Sequence, residues 1–228
     1  MPPTEGSERL TGLAAIPLLA ILVYYALPYR WQTSLIAQFL PQVLAYGCLI
    51  LWARQNQETV TRLGLKPTEL AEGARLGLAV GLGLGALNTG IILWVMPALG
   101  IDIDFLTQTP HARAPRWLML PWGILAIAVG VELNFRGFLL GRLLARLERL
   151  RDLSSRQASA SAVAISAVAF SFDPFMVATF RDLHWIAVWD GMAWGMMWVR
   201  RRNLYATIVA HAVEVMVMYS VLKLVMAP

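Results

Sequence analysis

Long apolar runs alternate with short polar stretches along the chain. A helix of about 20 apolar residues spans the roughly 30 Å hydrocarbon core of a bilayer, so each run is read as a membrane crossing. The first covers about residues 13–27 and ends at Pro28-Tyr29-Arg30-Trp31, an interfacial turn. No small-x-small cleavage site follows it, so it is expected to be an uncleaved span. The second covers about residues 35–52, with Pro41 as an expected kink. Residues 54–75 are polar and of mixed charge, and predict a helix or loop on the membrane surface. The third run, about residues 76–95, carries Gly77, Gly81 and Gly85 at four-residue spacing. That leaves one helix face without side chains and predicts close helix–helix packing in lipid. A polar loop with Asp102 and Asp104 follows. The fourth run starts near Trp117 and passes through Glu132 to Gly137, its helix continuing past Arg142, Arg146 and Arg149. The remaining runs cover about residues 158–172, 185–198 and 204–225.

Composition strengthens this reading. Of 228 residues, 58% are hydrophobic and only 14% are charged, against about a quarter charged in a soluble domain. The fold expected is all-α: a polytopic transmembrane helical bundle of about seven spans, or eight if a broken or re-entrant segment hides a further crossing. Residues 1–75 supply two spans and the surface segment, and residues 76–228 form the membrane core of one integrated domain. The net charge of +5 comes from basic clusters between the apolar runs, notably Arg142 to Arg156 and Arg200 to Arg202. Such clusters stay cytoplasmic and set topology, so nucleic acid is not the expected partner; the lipid bilayer is. Arg54, Arg62, Lys66, Arg75 and the N-terminus fall on the cytoplasmic side, and Asp102 and Asp104 outside. With seven spans the C-terminus also lies outside. The membrane expected is the cytoplasmic (inner) membrane of a bacterium. The single cysteine, Cys48, excludes an intrachain disulfide and reads as a buried small hydrophobe.

Five ionisable residues lie where they should be expensive: Glu132, Arg136, Asp190, His211 and Glu214. Each costs about 2.5–3.5 kcal/mol at a span centre, so each is a functional hypothesis by default. Glu132 and Arg136 share a helix face, as do His211 and Glu214. All five are expected to converge in the inner half of the bilayer, with Asn134 a further polar-cavity candidate. A carboxylate and an imidazole around a water make a general base, and an arginine can hold the carboxylate ionised or stabilise an oxyanion. That set suits amide hydrolysis. The bland alternative is a buried Glu132–Arg136 ion pair that fixes helix register. No zinc-binding His-Glu-x-x-His pair or phosphate loop is present, and no metal or cofactor is called for. Pairing of Ser166 or Ser171 with His211 is a weaker possibility.

Glu132-Leu133-Asn134-Phe135-Arg136-Gly137-Phe138-Leu139 resembles the first motif, Glu-Glu-x-x-x-Arg, of the CAAX-protease and bacteriocin-processing family of intramembrane proteases. Gly191 through the Arg200-Arg201-Arg202-Asn203-Leu204 turn to His211-Ala212 resembles its last block, and Leu63-Gly64-Leu65 is similar to its cytoplasmic motif. The resemblance implies a glutamic-type protease. In it the first glutamate and two histidines surround a catalytic water, and an asparagine one turn after the last histidine serves the oxyanion. Carried over, the arginine is Arg136, the second glutamate Glu132 and the last histidine His211. The positions of the first glutamate, the middle histidine and the asparagine hold Val131, Pro174 and Val215. Phe170 aligns with the phenylalanine of the middle Phe-x-x-x-His motif, and Phe180 to His184 repeats its letters by coincidence. Glu132, Arg136 and His211 are therefore the catalytic candidates, with Asp190, Glu214 and Asn134 as secondary ones. Two functions follow: a peptidase of membrane-bound or lipidated peptides with a degenerate active site, or a non-catalytic scaffold, chaperone or accessory subunit of a membrane complex that holds lipid or pigment.

Overall fold

A computed structural model describes residues 8–150 and 152–226; residues 1–7, Arg151 and residues 227–228 of the expected N-terminal part and membrane core lie outside the described residues. Helix α1 (Ala15–Ala26) packs against α2 (Leu35–Gln55), which runs through Pro41. Helix α3 (Leu70–Gly90) continues through a π-turn at Ile91–Val95. Helix α4 (Ile124–Glu132) widens into a π-helical stretch, Leu133–Leu140, before a last α segment, Gly141–Leu147. Helices α5 (Ser155–Ser171) and α6 (Pro174–Phe180) are bent by 52° at the break between them. Helices α7 (Ile186–Arg201) and α8 (Leu204–Val225) complete the bundle. No strand occurs among the described residues.

The chain is an integral membrane protein with several candidate spans. Four helical stretches are long and apolar enough to cross a bilayer, and the bent α5–α6 pair makes a fifth if it is one broken span. All seven expected apolar runs are helical, but the first and sixth are short. The 16 residues of α7 reach only about 24 Å at 1.5 Å per residue. Large apolar side chains face outward, among them Ile36, Leu22 and Trp94, as lipid-facing surfaces require.

The glycine face of α3 sets the position of α8. A Cβ on Gly77 would lie 2.5 Å from the Ala206 carbonyl oxygen, and one on Gly81 2.5 Å from that of Ala210. The two backbones touch, which the small-residue spacing predicts. Gly81→Ala is expected to push α8 away and cost about 1–3 kcal/mol, the usual range for overpacking. A lowered thermal midpoint in detergent micelles checks this; an unchanged midpoint contradicts it.

The surface segment clamps the start of α8. Gly64, at φ 83°, accepts a hydrogen bond from the Leu204 amide (2.7 Å). A Cβ there would sit 2.5 Å from the Arg202 carbonyl oxygen, so the position requires glycine. Asn203 caps α8 by accepting from the Ala206 amide and donates to the Glu69 carbonyl. At this same end Glu8 accepts from Trp52 Nε1 (2.8 Å) and pairs with Arg142 (2.5 Å) and Arg62 (3.6 Å). At the other end of α8, Lys223 donates to the Ala112 carbonyl. Cys48 is buried, as its apolar setting predicts.

Candidate functional site

The π-helical stretch of α4 carries the first half of the site. Such widened turns recur at functional sites because they re-aim side chains. Glu132 and Arg136, four residues apart, are both fully buried. Arg136 Nη1 donates to Glu132 Oε1 at 3.0 Å, and the guanidinium lies between Phe170 (4.6 Å) and Trp194 (4.9 Å). Phe170 thus stands beside the arginine. Gly191 on α7 makes room, since a Cβ there would lie 2.9 Å from Ala167 Cα and 3.3 Å from Arg136 Nη2.

His211 on α8 reaches the same carboxylate oxygen, Nδ1 to Glu132 Oε1 being 3.0 Å. A carboxylate paired with a guanidinium can only accept, so Nδ1 carries the hydrogen and Nε2 is the ring's basic atom. The ring stacks on Trp194 at 4.5 Å, which fixes its plane. The result is a carboxylate–imidazole couple of the kind that orients a general base.

The second half comes from α3, α7 and α8. Asn88 Nδ2 lies 3.0 and 3.1 Å from the two oxygens of Asp190 and 2.7 Å from Glu214 Oε1. Trp189 Nε1 donates to the Asn88 carbonyl oxygen at 2.9 Å and locks the amide's orientation. Asn88, Asp190 and Glu214 are all buried.

Both halves meet a cavity of about 550 Å³. It is lined by the buried Asp190, Trp194, His211 and Glu214, and its wall includes Val131 and Val215. The positions that the resemblance assigns to the first glutamate and the asparagine are therefore apolar cavity wall. Glu132 and Arg136 stand behind His211 and do not line the cavity. Several polar atoms that line or flank it have no partner among the described residues: Glu214 Oε2, Trp194 Nε1, Tyr219 Oη, and Nε and Nη2 of Arg136. Arg116, Lys223 and His111 also line it. His111 stacks on Phe180, and burial pushes its imidazole below the usual histidine pKa.

Of the residues picked out by sequence, Glu132, Arg136 and His211 come together, and Asp190 and Glu214 join them across the cavity. Asn134 is buried on the same turn, but no hydrogen bond ties it to the cluster among the described residues. Ser166 donates to the Phe135 carbonyl and Ser171 to that of His184, so neither pairs with His211. His184 binds the Arg181 carbonyl and packs on Phe172. Pro174 opens α6 next to its cap, Asp173. Sequence reasoning missed Asn88 and Trp194. Asn88 had a signal: it extends the face of Gly77, Gly81 and Gly85 and is the one amide on that face. Among the described residues no group of three or more histidines, cysteines or acids could hold a metal.

Fold and site together define an all-α integral membrane protein with an ionisable centre buried beside an apolar cavity. Residues 113–217 match the family model described as Type II CAAX prenyl endopeptidase Rce1-like. The matched stretch contains both the Glu132–Arg136–His211 half and the Asp190 and Glu214 carboxyls, but not Asn88. No curated protein and no solved structure matches the chain.

Proposed function

We propose that the protein is an intramembrane peptidase that hydrolyses an amide bond in a membrane-bound or lipid-modified peptide held in the cavity. The observation that carries this is His211, whose Nδ1 is held by Glu132 while its ring faces the cavity. A water in the cavity loses a proton to His211 Nε2 and attacks the scissile carbonyl carbon. Glu132 acts through His211 as a positioning residue, and Arg136 keeps Glu132 ionised. The apolar walls suit an acyl, prenyl or apolar peptide segment. The match of residues 113–217 to a family model described as Type II CAAX prenyl endopeptidase Rce1-like supports the same substrate class. The bundle crosses the membrane about seven times, with α1 and α7 as its short crossings. Its basic end, where Glu8 meets Arg62 and Arg142, faces the cytoplasm of a bacterial cell.

A second reading has one specific observation in its favour. Val131, Pro174 and Val215 occupy positions that hold catalytic groups in the family pattern, as expected of a non-catalytic scaffold or accessory subunit that holds a lipid. One assay separates the two. The purified protein, reconstituted in liposomes, is offered a quenched-fluorescence farnesylated CAAX peptide and a panel of single-span apolar peptides. Turnover by the wild type that disappears in His211→Ala supports the peptidase. A wild type inert toward every peptide overturns it and favours the scaffold.

A further inference from the structure

A second pair of acids faces the cavity, and the base chemistry of His211 leaves it unused. We propose that Asp190 and Glu214 form a carboxyl pair, positioned by Asn88, that acts as the general acid of this site and protonates the departing amine. This rests on the peptidase reading and adds to it the residues that complete the proton cycle. The two carboxyls come from different helices, α7 and α8, yet one amide nitrogen reaches both within 3.1 Å. Glu214 follows His211 by three residues on α8, so both project from one face. Both acids line the same cavity as His211.

The chemistry follows from that geometry. Two carboxyls held on one amide nitrogen, 4% and 1% exposed, form the arrangement in which a pair of acids can hold one proton between them. The pair is thus a proton store beside a base, and acid–base hydrolysis needs both. Independent of the acids, the cavity presents polar atoms without partners on residues at least nine-tenths buried: Glu214 Oε2, Trp194 Nε1 and Tyr219 Oη. Atoms left so beside an apolar cavity are placed for a polar group of a ligand, here the scissile amide and its water.

The step balances. Water oxygen bonds to the carbonyl carbon, and one water proton goes to His211 Nε2. The carbon–nitrogen bond then breaks while the shared proton of the pair moves to the leaving nitrogen. The products are a carboxylic acid and an amine. The proton on His211 returns to the pair, which restores the site. No metal, oxidant or further reactant takes part.

A leaving-group comparison tests the assignment. The substrate is whichever farnesylated or single-span peptide the wild type cleaves, made once with its amide and once with a thioester at the scissile bond. A thiolate leaves without a proton, so only the amide needs the acid. Asp190→Asn and Glu214→Gln are expected to lower amide kcat by about 10²–10⁴, while thioester kcat falls less than about tenfold. His211→Ala lowers both alike. Should the two acid variants fail to fold, Asn88→Ala keeps both carboxyls but loosens their placement, and the same split between amide and thioester is expected. Equal losses on the two substrates, or no loss on the amide, overturn the assignment while leaving His211 as the base. A wild type inert toward both substrates instead overturns the peptidase reading.

Discussion

Arg136→Met is expected to destabilise the protein by about 3–5 kcal/mol, the range for removing one partner of a buried ion pair. The physical reason is the depth of the pair. Glu132 and Arg136 are both fully buried and bonded at 3.0 Å, so without the guanidinium the carboxylate is left as an uncompensated buried charge. Methionine fills similar space between Phe170 and Trp194 but removes the positive charge, and with it the cation–π contacts on both rings. Thermal unfolding in detergent micelles reads the loss. The double variant Glu132→Leu/Arg136→Met should recover much of it, because apolar replacement of both partners is often neutral or stabilising. A single variant as stable as the wild type contradicts the pairing.

His211→Ala is expected to lower kcat by about 10²–10⁴, the usual contribution of a positioned general base, with a smaller effect on stability. Alanine leaves the Glu132–Arg136 pair intact, so the charge balance behind the cavity survives. What disappears is the one imidazole that reaches from that pair into the cavity, together with its stack on Trp194. Turnover of the reconstituted protein and the thermal midpoint are measured side by side. A collapse of stability in step with activity would make His211 a packing residue.

Some of this arrangement is legible in the sequence because it rests on local, repeating rules. Glycines at four-residue spacing predict a bare helix face, and α3 indeed meets α8 backbone to backbone there. Ionisable residues in apolar runs are costly wherever they lie, so Glu132, Arg136, Asp190, His211 and Glu214 stand out one by one, and the four-residue spacing of Glu132 and Arg136 predicts their pairing. Leu63-Gly64-Leu65 is noticeable as a motif, though its reason, a positive φ under the turn before α8, is tertiary. Other features depend on three-dimensional arrangement. Asn88 costs less than a charge in lipid and hides in an apolar run until α7 and α8 bring two carboxyls to it. The π-helical widening at Leu133–Leu140 leaves no mark on the hydrophobic pattern. Nor does the pattern say that Glu132 stands behind His211, since adjacent positions such as Val131 and Glu132 point about 100° apart on a helix and only the packing decides which meets the cavity. The count of crossings differs for a plain reason: α1 is apolar but short, and α7 is both short and carries Asp190, Arg200 and Arg201 within its 16 residues.

Under the proposed mechanism Glu132 acts on the reaction only through His211. A double-mutant cycle on turnover by the liposome-reconstituted protein tests it most directly, with wild type, Glu132→Gln, His211→Ala and the combination compared on one peptide. Glu132→Gln is expected to slow turnover when His211 is present, and the double variant is expected to be no slower than His211→Ala alone. Losses that multiply in the double variant, or turnover that survives without His211, would contradict it.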